Sequence, residues 1–298
     1  MFKDGLLKGK RILITGGGTG LGKEIAACYL ALGAELWLAG RRGGVLEETA
    51  RTLMAQHGGS VRTHALDIRD AQAVDAMVQH IWDESGPLTG LVNNAAGNFI
   101  SPTQDLTVNG FNAIANIVFH GTFYVTHAVG RRWIAQGHKG SVVSILVTWV
   151  WTGSPYVVPS AMSKAGLNIM TKSLAVEWGR HGIRLNAIAP GPFPTEGASK
   201  RLRPGGSFEE AKASIPMRRV GEMPELQNLA TFLMADGCEW LTGETIAIDG
   251  GGYLANGASF TELDKLSDAD WDRMREMIKA QNEKDRAGRG KDRATRGA

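Results

Sequence analysis

The stretch Thr15–Gly22, which reads TGGGTGLG, decides the fold. An apolar strand precedes it at Arg11–Thr15, and apolar residues at helical spacing follow it over Leu21–Gly33. Glycines in a strand–loop–helix unit let the backbone turn tightly and approach a phosphate, which the free N–H groups of the helix N-terminus then bind. The stretch therefore predicts a site for a dinucleotide pyrophosphate. Its predicted contacts are Thr15, Gly16, Gly18, Thr19, Gly20, Leu21 and Gly22.

Short apolar runs rich in β-branched residues alternate along the whole chain with longer segments of helical periodicity. Such alternation builds a parallel sheet covered by helices, joined by right-handed crossovers. We therefore predict an α/β fold: a doubly wound, mainly parallel, seven-stranded Rossmann-type sheet with helices on both faces. The predicted strands are Arg11–Thr15, Glu35–Ala39, Val61–Leu66, Leu88–Asn93, Ser141–Thr148, Ile183–Ala189 and Gly243–Ile248. The predicted helices are Leu21–Gly33, Val45–His57, Ala71–Ser85, a long segment ending at Arg132, and Ser160–His181.

The alternation of strand and helix patterns ends at about Gly252, and this change divides the chain into two parts. We predict that 1–256 form the nucleotide-binding domain, including the substrate site, and that 257–298 form a helical extension with a basic tail. Ser267 followed three positions later by Asp270 is a signal for the start of that helix. The tail accounts for the formal net charge of +3, so the rest of the chain is near neutral and shows no nucleic-acid footprint.

Composition restricts the remaining classes of function. Two cysteines, Cys28 and Cys238, are too few for a disulfide framework, which is typical of a reducing compartment. No apolar run approaches the length of a membrane helix and no targeting segment is evident, so we expect a cytoplasmic protein without membrane insertion. No group of His, Cys and carboxylate residues has metal-ligand spacing, so we expect no metal.

The residues after the second and third strands predict which dinucleotide binds. A site for NAD places a carboxylate after the second strand to bind the ribose hydroxyls, whereas this chain has Arg41 and Arg42 there. A guanidinium fork suits a 2′-phosphate that a carboxylate would repel, so we predict NADPH. Asp67 and Ile68 follow the third strand and are predicted to flank the adenine, with Asp67 accepting from its exocyclic amine.

Four motifs together resemble the short-chain dehydrogenase/reductase family over about residues 8 to 253. They are Thr15–Gly22, Asn93-Asn94-Ala95-Ala96-Gly97, Lys164 and Pro190-Gly191-Pro192. The resemblance implies that Lys164 binds the nicotinamide ribose and that the proline motif flanks the nicotinamide carboxamide. It also implies a homotetramer. The further cofactor contacts it implies are Asn94, Ala95, Ala96, Gly97, Lys164, Pro190, Gly191 and Pro192.

Both hydroxyl groups of the family's ordinary ketone-reducing site are replaced. Most members carry Tyr-x-x-x-Lys, but Ser160 stands four residues before Lys164, and Val147 occupies the position of the usual catalytic serine. Two alternatives stay open: a carbonyl reductase of the 3-oxoacyl type, and a catalytically silent NADP-binding protein.

A narrower resemblance accounts for the replacement. The stretches NNAAGNFISP (Asn93–Pro102) and VVPSAMSKAG (Val157–Gly166) are similar to 2,4-dienoyl-CoA reductases, a subfamily that also has Ser before x-x-x-Lys. Its mitochondrial members carry a tyrosine fifteen residues before the lysine, where this chain has Trp149. Tryptophan donates a hydrogen bond but cannot act as an acid. The resemblance implies NADPH-dependent reduction of an unsaturated acyl-CoA thioester in fatty-acid breakdown.

The resemblance also assigns roles within that chemistry. Hydride added to the far end of a conjugated thioester sends charge to the thioester oxygen, which hydrogen-bond donors then stabilise. Asn98 is implied as such a donor, Ser160 as a group that steers substrate or a water, and Lys164 as the third catalytic residue. A loop cap for Asn98 and a helix N-cap for Ser160 are the structural alternatives. The predicted acyl-CoA contacts are Arg69, Phe99, Thr107, Tyr156 and Arg201.

Overall fold

A seven-stranded parallel sheet with strand order 3-2-1-4-5-6-7 forms the centre of the molecule, which confirms the predicted fold class. The computed structural model describes residues 1–195, 212–255, 259 and 261–295. Each neighbouring pair of strands is parallel, so every connection is a crossover. The strands are β1 (Arg11–Thr15), β2 (Glu35–Gly40), β3 (Val61–Ala65), β4 (Gly90–Asn93), β5 (Gly140–Ile145), β6 (Ile183–Pro190) and β7 (Thr245–Ile248).

Helices cover both faces of the sheet because alternate strand residues enter different cores. The helices are α1 (Gly20–Ala31), α2 (Gly43–His57), α3 (Ala71–Ser85), α4 (Val108–Ala115), α5 (Thr122–Gln136), α6 (Trp149–Thr152), α7 (Val158–Trp178), α8 (Met223–Met234), α9 (Gly252–Ala255) and α10 (Asp268–Thr295). Ile12 and Ile14 pack in one hydrophobic cluster with α1, α2 and α8, whereas Leu13 packs in another with α3, α5 and α7.

The region around β5 and α7 differs from the prediction. The fifth strand ends at Ile145 rather than Thr148, because the chain turns into the short helix α6. Helix α7 begins at Val158, with Val157 as its N-cap residue and a proline in its first turn. Ser160 thus lies inside the helix, and its interpretation as an N-cap is wrong.

The long helix predicted after β4 is divided by a π-helical segment, Asn116–Gly121, between α4 and α5. Its last residue lies against Ile68, where a Cβ on Gly121 would come within 2.7 Å of Ile68 Cγ1. The aromatic ring of Phe119, in the same segment, lies over Gly166 of α7. The segment therefore packs closely on the residues around the predicted site, as π-helical turns often do.

The chain separates into two compact units, Met1–Tyr253 and Leu254–Ala298. In the second unit Asp270 Oδ2 accepts hydrogen bonds from the backbone and side chain of Ser267, which confirms the predicted helix start. The helix then continues to Thr295, through the predicted tail. The domain boundary at 256 stays a prediction. Among the described residues no helix is both long and apolar enough to cross a bilayer.

Candidate active site

The glycine-rich loop after β1 lies so close to the start of the next motif that side chains are excluded at two positions. Gly16 has φ +66°, and a Cβ there would come within 2.9 Å of Ala95 Cα. A Cβ on Gly22 would come within 2.5 Å of Gly16 O and collide with the Asn94 amide. That amide donates hydrogen bonds to Thr15 O (3.2 Å) and Gly16 O (3.1 Å), which ties β4 to the loop.

The hydroxyl of Thr15 completes the connection between β1 and β4. It accepts hydrogen bonds from the backbone N–H groups of Asn94 and Ala95, both at 3.1 Å, and donates to Val92 O. All of the hydrogen bonds of this hydroxyl are therefore made within the protein, and they hold the end of β4 against β1. A contact of Thr15 with the cofactor stays a prediction. The result is a loop fixed by hydrogen bonds at the N-terminus of α1, where free backbone N–H groups suit a pyrophosphate.

Exposed guanidinium groups follow the ends of β2 and β3. Arg41 and Arg42 are both exposed, and Arg42 Nη2 lies 3.4 Å from Thr19 Oγ1 in the glycine-rich loop. Arg69 donates from Nε (2.9 Å) and Nη2 (2.6 Å) to Asp67 Oδ2. These hydrogen bonds from Arg69, with a smaller contribution from the charge of Arg41, lower the pKa of Asp67 below its ordinary value.

Ser160 and Lys164 lie one turn apart on the same face of α7, and both are more than nine-tenths buried. The Lys164 ammonium donates to the carbonyl oxygen of Ile145, the last residue of β5. Burial lowers the pKa of Lys164 to about 8, because a desolvated ammonium is disfavoured. The Ser160 hydroxyl, in contrast, makes no hydrogen bond to any residue that the structure describes.

Asn98 lies in the loop after β4, and its side chain is compatible with both predicted roles, the loop cap and the hydrogen-bond donor. Its Oδ1 accepts from Phe99 N at 2.9 Å, so the side chain does cap its own loop. The amide nitrogen has no partner within the described residues, so its two N–H groups remain available as donors. The loop cap and the proposed oxyanion contact are therefore compatible.

The side chains predicted to contact acyl-CoA have varied surroundings. Phe99 is exposed beside Gly110 at the start of α4. Thr107 accepts from Gly110 N at 3.0 Å and caps that helix. Tyr156 has φ +63°, and its carbonyl accepts from Ser101 N at 2.9 Å, which joins the loops after β4 and β5. Arg201 lies outside the described residues.

The loop after β6 lies beside the end of β7 and reaches the glycine-rich loop. Gly191 N donates to Ile248 O at 3.0 Å, so Pro190–Pro192 are held beside the end of β7. Farther along, the methyl carbon of Thr195 would lie 3.8 Å from a Cβ on Gly20. Sequence reasoning missed Thr195, although its position three residues after the proline motif is a signal that could have found it.

A profile of the protein family described as Enoyl-(Acyl carrier protein) reductase matches residues 16–252, most of the chain. The matched region contains the glycine-rich loop, the Asn98 loop, Ser160, Lys164 and the proline motif. The chain belongs to the short-chain dehydrogenase/reductase family. Members of this family are oxidoreductases that use NAD(P)H, and the cradle formed by Gly16 and Gly22 suits a dinucleotide of that kind.

Individual relatives agree with this assignment. A probable 2,4-dienoyl-CoA reductase from Caenorhabditis elegans, described as (3E)-enoyl-CoA-producing, is 40% identical over 96% of this chain and 95% of its own length. A probable (2E)-enoyl-CoA-producing counterpart from Bacillus subtilis is 39% identical over 82% and 97%. The crystal structure of a short-chain dehydrogenase from Bacillus anthracis superposes with a TM-score of 0.74 at 40% identity, covering 82% of this chain and 96% of the other.

Val147, at the position of the family's usual catalytic serine, lies in the turn that joins β5 to α6, where its carbonyl oxygen accepts from Val150 N. Trp149, at the position of the tyrosine of mitochondrial 2,4-dienoyl-CoA reductases, begins the short helix; its indole is partly exposed, and the N–H has no partner among the residues described. Ser160, at the position of the family's usual tyrosine, lies on α7. Two neutral donors, the Ser160 hydroxyl and the Trp149 N–H, therefore stand at positions where these relatives carry a tyrosine.

Proposed function

We propose that this enzyme reduces 2,4-dienoyl-CoA thioesters with NADPH during the breakdown of unsaturated fatty acids. The observation that carries the proposal is the Ser160 hydroxyl, which has no hydrogen-bond partner among the described residues and lies one helical turn from Lys164, where neither Val147 nor Trp149 can supply an acid. Dienoyl-CoA reductases at about 40% identity over most of the chain support the substrate class.

The replaced hydroxyls favour a conjugated thioester over a ketone because of where the proton must go. Reduction of a ketone leaves an alkoxide that has to be protonated on oxygen by an adjacent acid. Reduction of a dienoyl thioester leaves a dienolate, which is protonated on carbon, so its oxygen needs hydrogen-bond donors rather than an acid. When bound, the cofactor supplies the hydride. The proton that balances the reaction comes from solvent.

Asn98, Ser160 and Lys164 have separate tasks in this proposal. The Asn98 amide donates to the thioester oxygen as negative charge develops there, and one such donor typically contributes about 10²–10³ in rate. The Ser160 hydroxyl orients the diene or the water that delivers the proton. Lys164 hydrogen-bonds the nicotinamide ribose hydroxyls, and its positive charge stabilises the dienolate.

The choice of NADPH over NADH rests on Arg41 and Arg42. Both guanidinium groups are exposed at the end of β2, where the ribose 2′-phosphate would lie, and neither forms a salt bridge within the described chain. Adenine would lie between Asp67 and Ile68, and Thr195 would add a hydroxyl near the pyrophosphate above Gly20.

The product is proposed to be a (3E)-enoyl-CoA. Two Caenorhabditis elegans relatives described as producing that isomer are 40% and 44% identical to this chain. Formation of this isomer requires protonation of the dienolate at the carbon next to the thioester. Protonation two carbons farther would give the (2E) isomer described for the Bacillus subtilis relative.

An exposed apolar face supports the homotetramer that the resemblance implies. Met162, Ile169 and Val176 recur at seven-residue intervals on α7, and Val176 is 86% exposed. Phe119 is also exposed, on the π-helical segment that packs on α7, and Phe123 is exposed on α5. Exposed apolar stripes of this kind mark association surfaces.

The domain assignment and compartment also belong to the proposal. Residues 1–256 would carry the whole reaction, and 257–298 would be an extension. A cytoplasmic location is consistent with the two free cysteines, Cys28 and Cys238. Relatives from Danio rerio and Arabidopsis thaliana carry the name peroxisomal, so a fluorescent fusion scored against peroxisomal markers decides between the two compartments.

The proposed activity is tested by following NADPH absorbance with 2,4-hexadienoyl-CoA and, in parallel, acetoacetyl-CoA. We expect oxidation with the dienoyl thioester and little with the ketoester. Oxidation only with the ketoester would establish the 3-oxoacyl reductase alternative. Absence of turnover with both thioesters, together with tight NADPH binding, would establish the silent NADP-binding alternative.

A further inference from the structure

Two aromatic rings meet at the carboxyl-end edge of the sheet, and the proposed reaction assigns neither of them a role. Trp151 lies in α6, which follows β5, and Tyr253 follows β7. Their ring centroids are 4.9 Å apart, with the planes tilted by 30°. Strand β6, which ends at Pro190, lies between β5 and β7, so the ring contact joins the segments that follow the two neighbours of β6.

The backbone holds Tyr253 in place beneath Trp151. Asp249 accepts from Gly251 N at 3.0 Å through Oδ1 and from Tyr253 N at 2.7 Å through Oδ2. Gly250 and Gly251 have φ +65° and +84°, a left-handed conformation that brings the chain back to the carboxylate. The ring pair is therefore a fixed feature. Trp151 remains 40% exposed, so part of its apolar surface is free to contact a ligand.

Charge and apolar surface are separated along this edge of the sheet. The exposed guanidinium group of Arg69, which the resemblance assigns to the CoA phosphates, follows β3, whereas the stacked rings follow β5 and β7. An acyl-CoA has a polyanionic head and an apolar tail, so this order of surfaces fits the head near the end of β3 and the tail at β5–β7.

We propose that Trp151 and Tyr253 form the contact surface for the acyl tail, and that they make dienoyl-CoA thioesters with several carbons beyond the diene better substrates than the shortest ones. This inference rests on the proposed function. It adds that the enzyme selects among substrates by the length of their acyl tail. Flat aromatic rings suit a methylene chain because they bury apolar area with little loss of side-chain freedom.

The test is the ratio of kcat/KM for 2,4-decadienoyl-CoA to that for 2,4-hexadienoyl-CoA. We expect a ratio well above one in the unmodified enzyme. Trp151→Ala should lower the ratio about tenfold, because each methylene buried contributes about 0.8 kcal/mol and about two lose their contact. Tyr253→Ala should lower it in the same direction, and provides a second measurement if one variant folds poorly.

Matched variants separate a tail contact from general damage. Trp151→Phe and Tyr253→Phe preserve the stacked rings and should keep the ratio within about twofold. Trp240, fully exposed and preceding β7 at the opposite edge of the sheet, should tolerate Trp240→Ala with both kcat/KM values unchanged.

The possible results have distinct meanings. A ratio that stays constant or rises in both alanine variants overturns the inference and leaves the proposed function intact, because hexadienoyl-CoA is still reduced. Failure of the unmodified enzyme to reduce either dienoyl-CoA overturns the proposed function and the inference with it.

Discussion

Arg69 holds Asp67 with two side-chain hydrogen bonds and one from its own backbone N–H, which lies 3.0 Å from Asp67 Oδ1. The sequence predicts different ligands for these neighbours: adenine for Asp67 and the phosphates of CoA for Arg69. If both predictions hold, the ion pair connects the end of the proposed cofactor site to the start of the proposed substrate site. A phosphate that attracts Arg69 has to compete with the Asp67 carboxylate.

The first prediction concerns Arg69→Ala. We expect KM for the acyl-CoA to rise about tenfold, since charge-assisted hydrogen bonds to a phosphate are lost, while the Kd of NADPH changes less. Thermal stability should change little because an exposed ion pair contributes less than about 1 kcal/mol. Steady-state kinetics and a melting curve check both expectations. A large loss of Tm with an unchanged KM would show that the pair is purely structural.

The second prediction concerns the pH dependence of cofactor use. Lys164 has a pKa of about 8 in the fold, and only its charged form carries the positive charge that the proposal requires. We expect kcat/KM for NADPH to fall as pH rises through about 8. Lys164→Arg keeps its charge at every accessible pH and should lack this decline, whatever its overall rate. An identical decline in both proteins would assign the titration to another group.

The third prediction gives the matching effect on stability. Lys164 binds its proton less tightly in the fold than in the unfolded chain, whose pKa is near the ordinary 10.5, so stability rises with pH between about 8 and 10.5. Below that window the cost of the buried charge is fully present. Across this window the free energy of unfolding of the unmodified protein should therefore rise with pH relative to that of Lys164→Met. A constant difference in urea titrations would contradict the assigned pKa.

The fourth prediction concerns the glycine-rich loop. Gly22→Ala should lower NADPH affinity at least tenfold and destabilise the fold by about 1–3 kcal/mol, since the new methyl overlaps Gly16 O and the Asn94 amide. Gly44→Ala is the matched control, because a Cβ there meets nothing within 4 Å and lies in α2. Cofactor fluorescence and denaturant titrations measure both variants. Equal NADPH affinity in the two variants would remove the loop from the cofactor site.

The fifth prediction concerns assembly. Ile169→Glu puts a charge in the exposed apolar stripe of α7 and should reduce the tetramer to smaller species in light scattering. Ala55→Glu places the same charge on an exposed position of α2 and should leave the assembly unchanged. If both variants stay tetrameric, the stripe is outside the interface.

The sheet could be predicted from sequence because its strands are apolar runs separated by regular helical segments. The glycine-rich loop and the Asn94 motif were recognisable for a similar reason, since each depends on residues adjacent in the chain. The glycine-rich loop and Asn94 do meet, through the hydrogen bonds from the Asn94 amide. Such local motifs indicate the same structure however the distant segments of the chain pack.

The remaining features depend on contacts between distant segments. The π-helical segment Asn116–Gly121 forms where Gly121 meets Ile68, more than fifty residues earlier. The stack of Trp151 on Tyr253 joins residues about a hundred positions apart. Serine favours helix caps, so the sequence alone allows Ser160 as a helix start, but the proline before it allows the helix to begin earlier.

The central claim is that hydride reaches the far end of a conjugated thioester while Asn98 stabilises the charge on its oxygen and Ser160 orients the diene or the water that delivers the proton. The most direct measurement uses NADPH carrying deuterium on its transferable position, with 2,4-hexadienoyl-CoA as substrate and NMR of the product. The account predicts deuterium at carbon 5, solvent hydrogen at carbon 2 and a double bond at carbon 3. Deuterium at the carbonyl carbon, or at carbon 3, would contradict it.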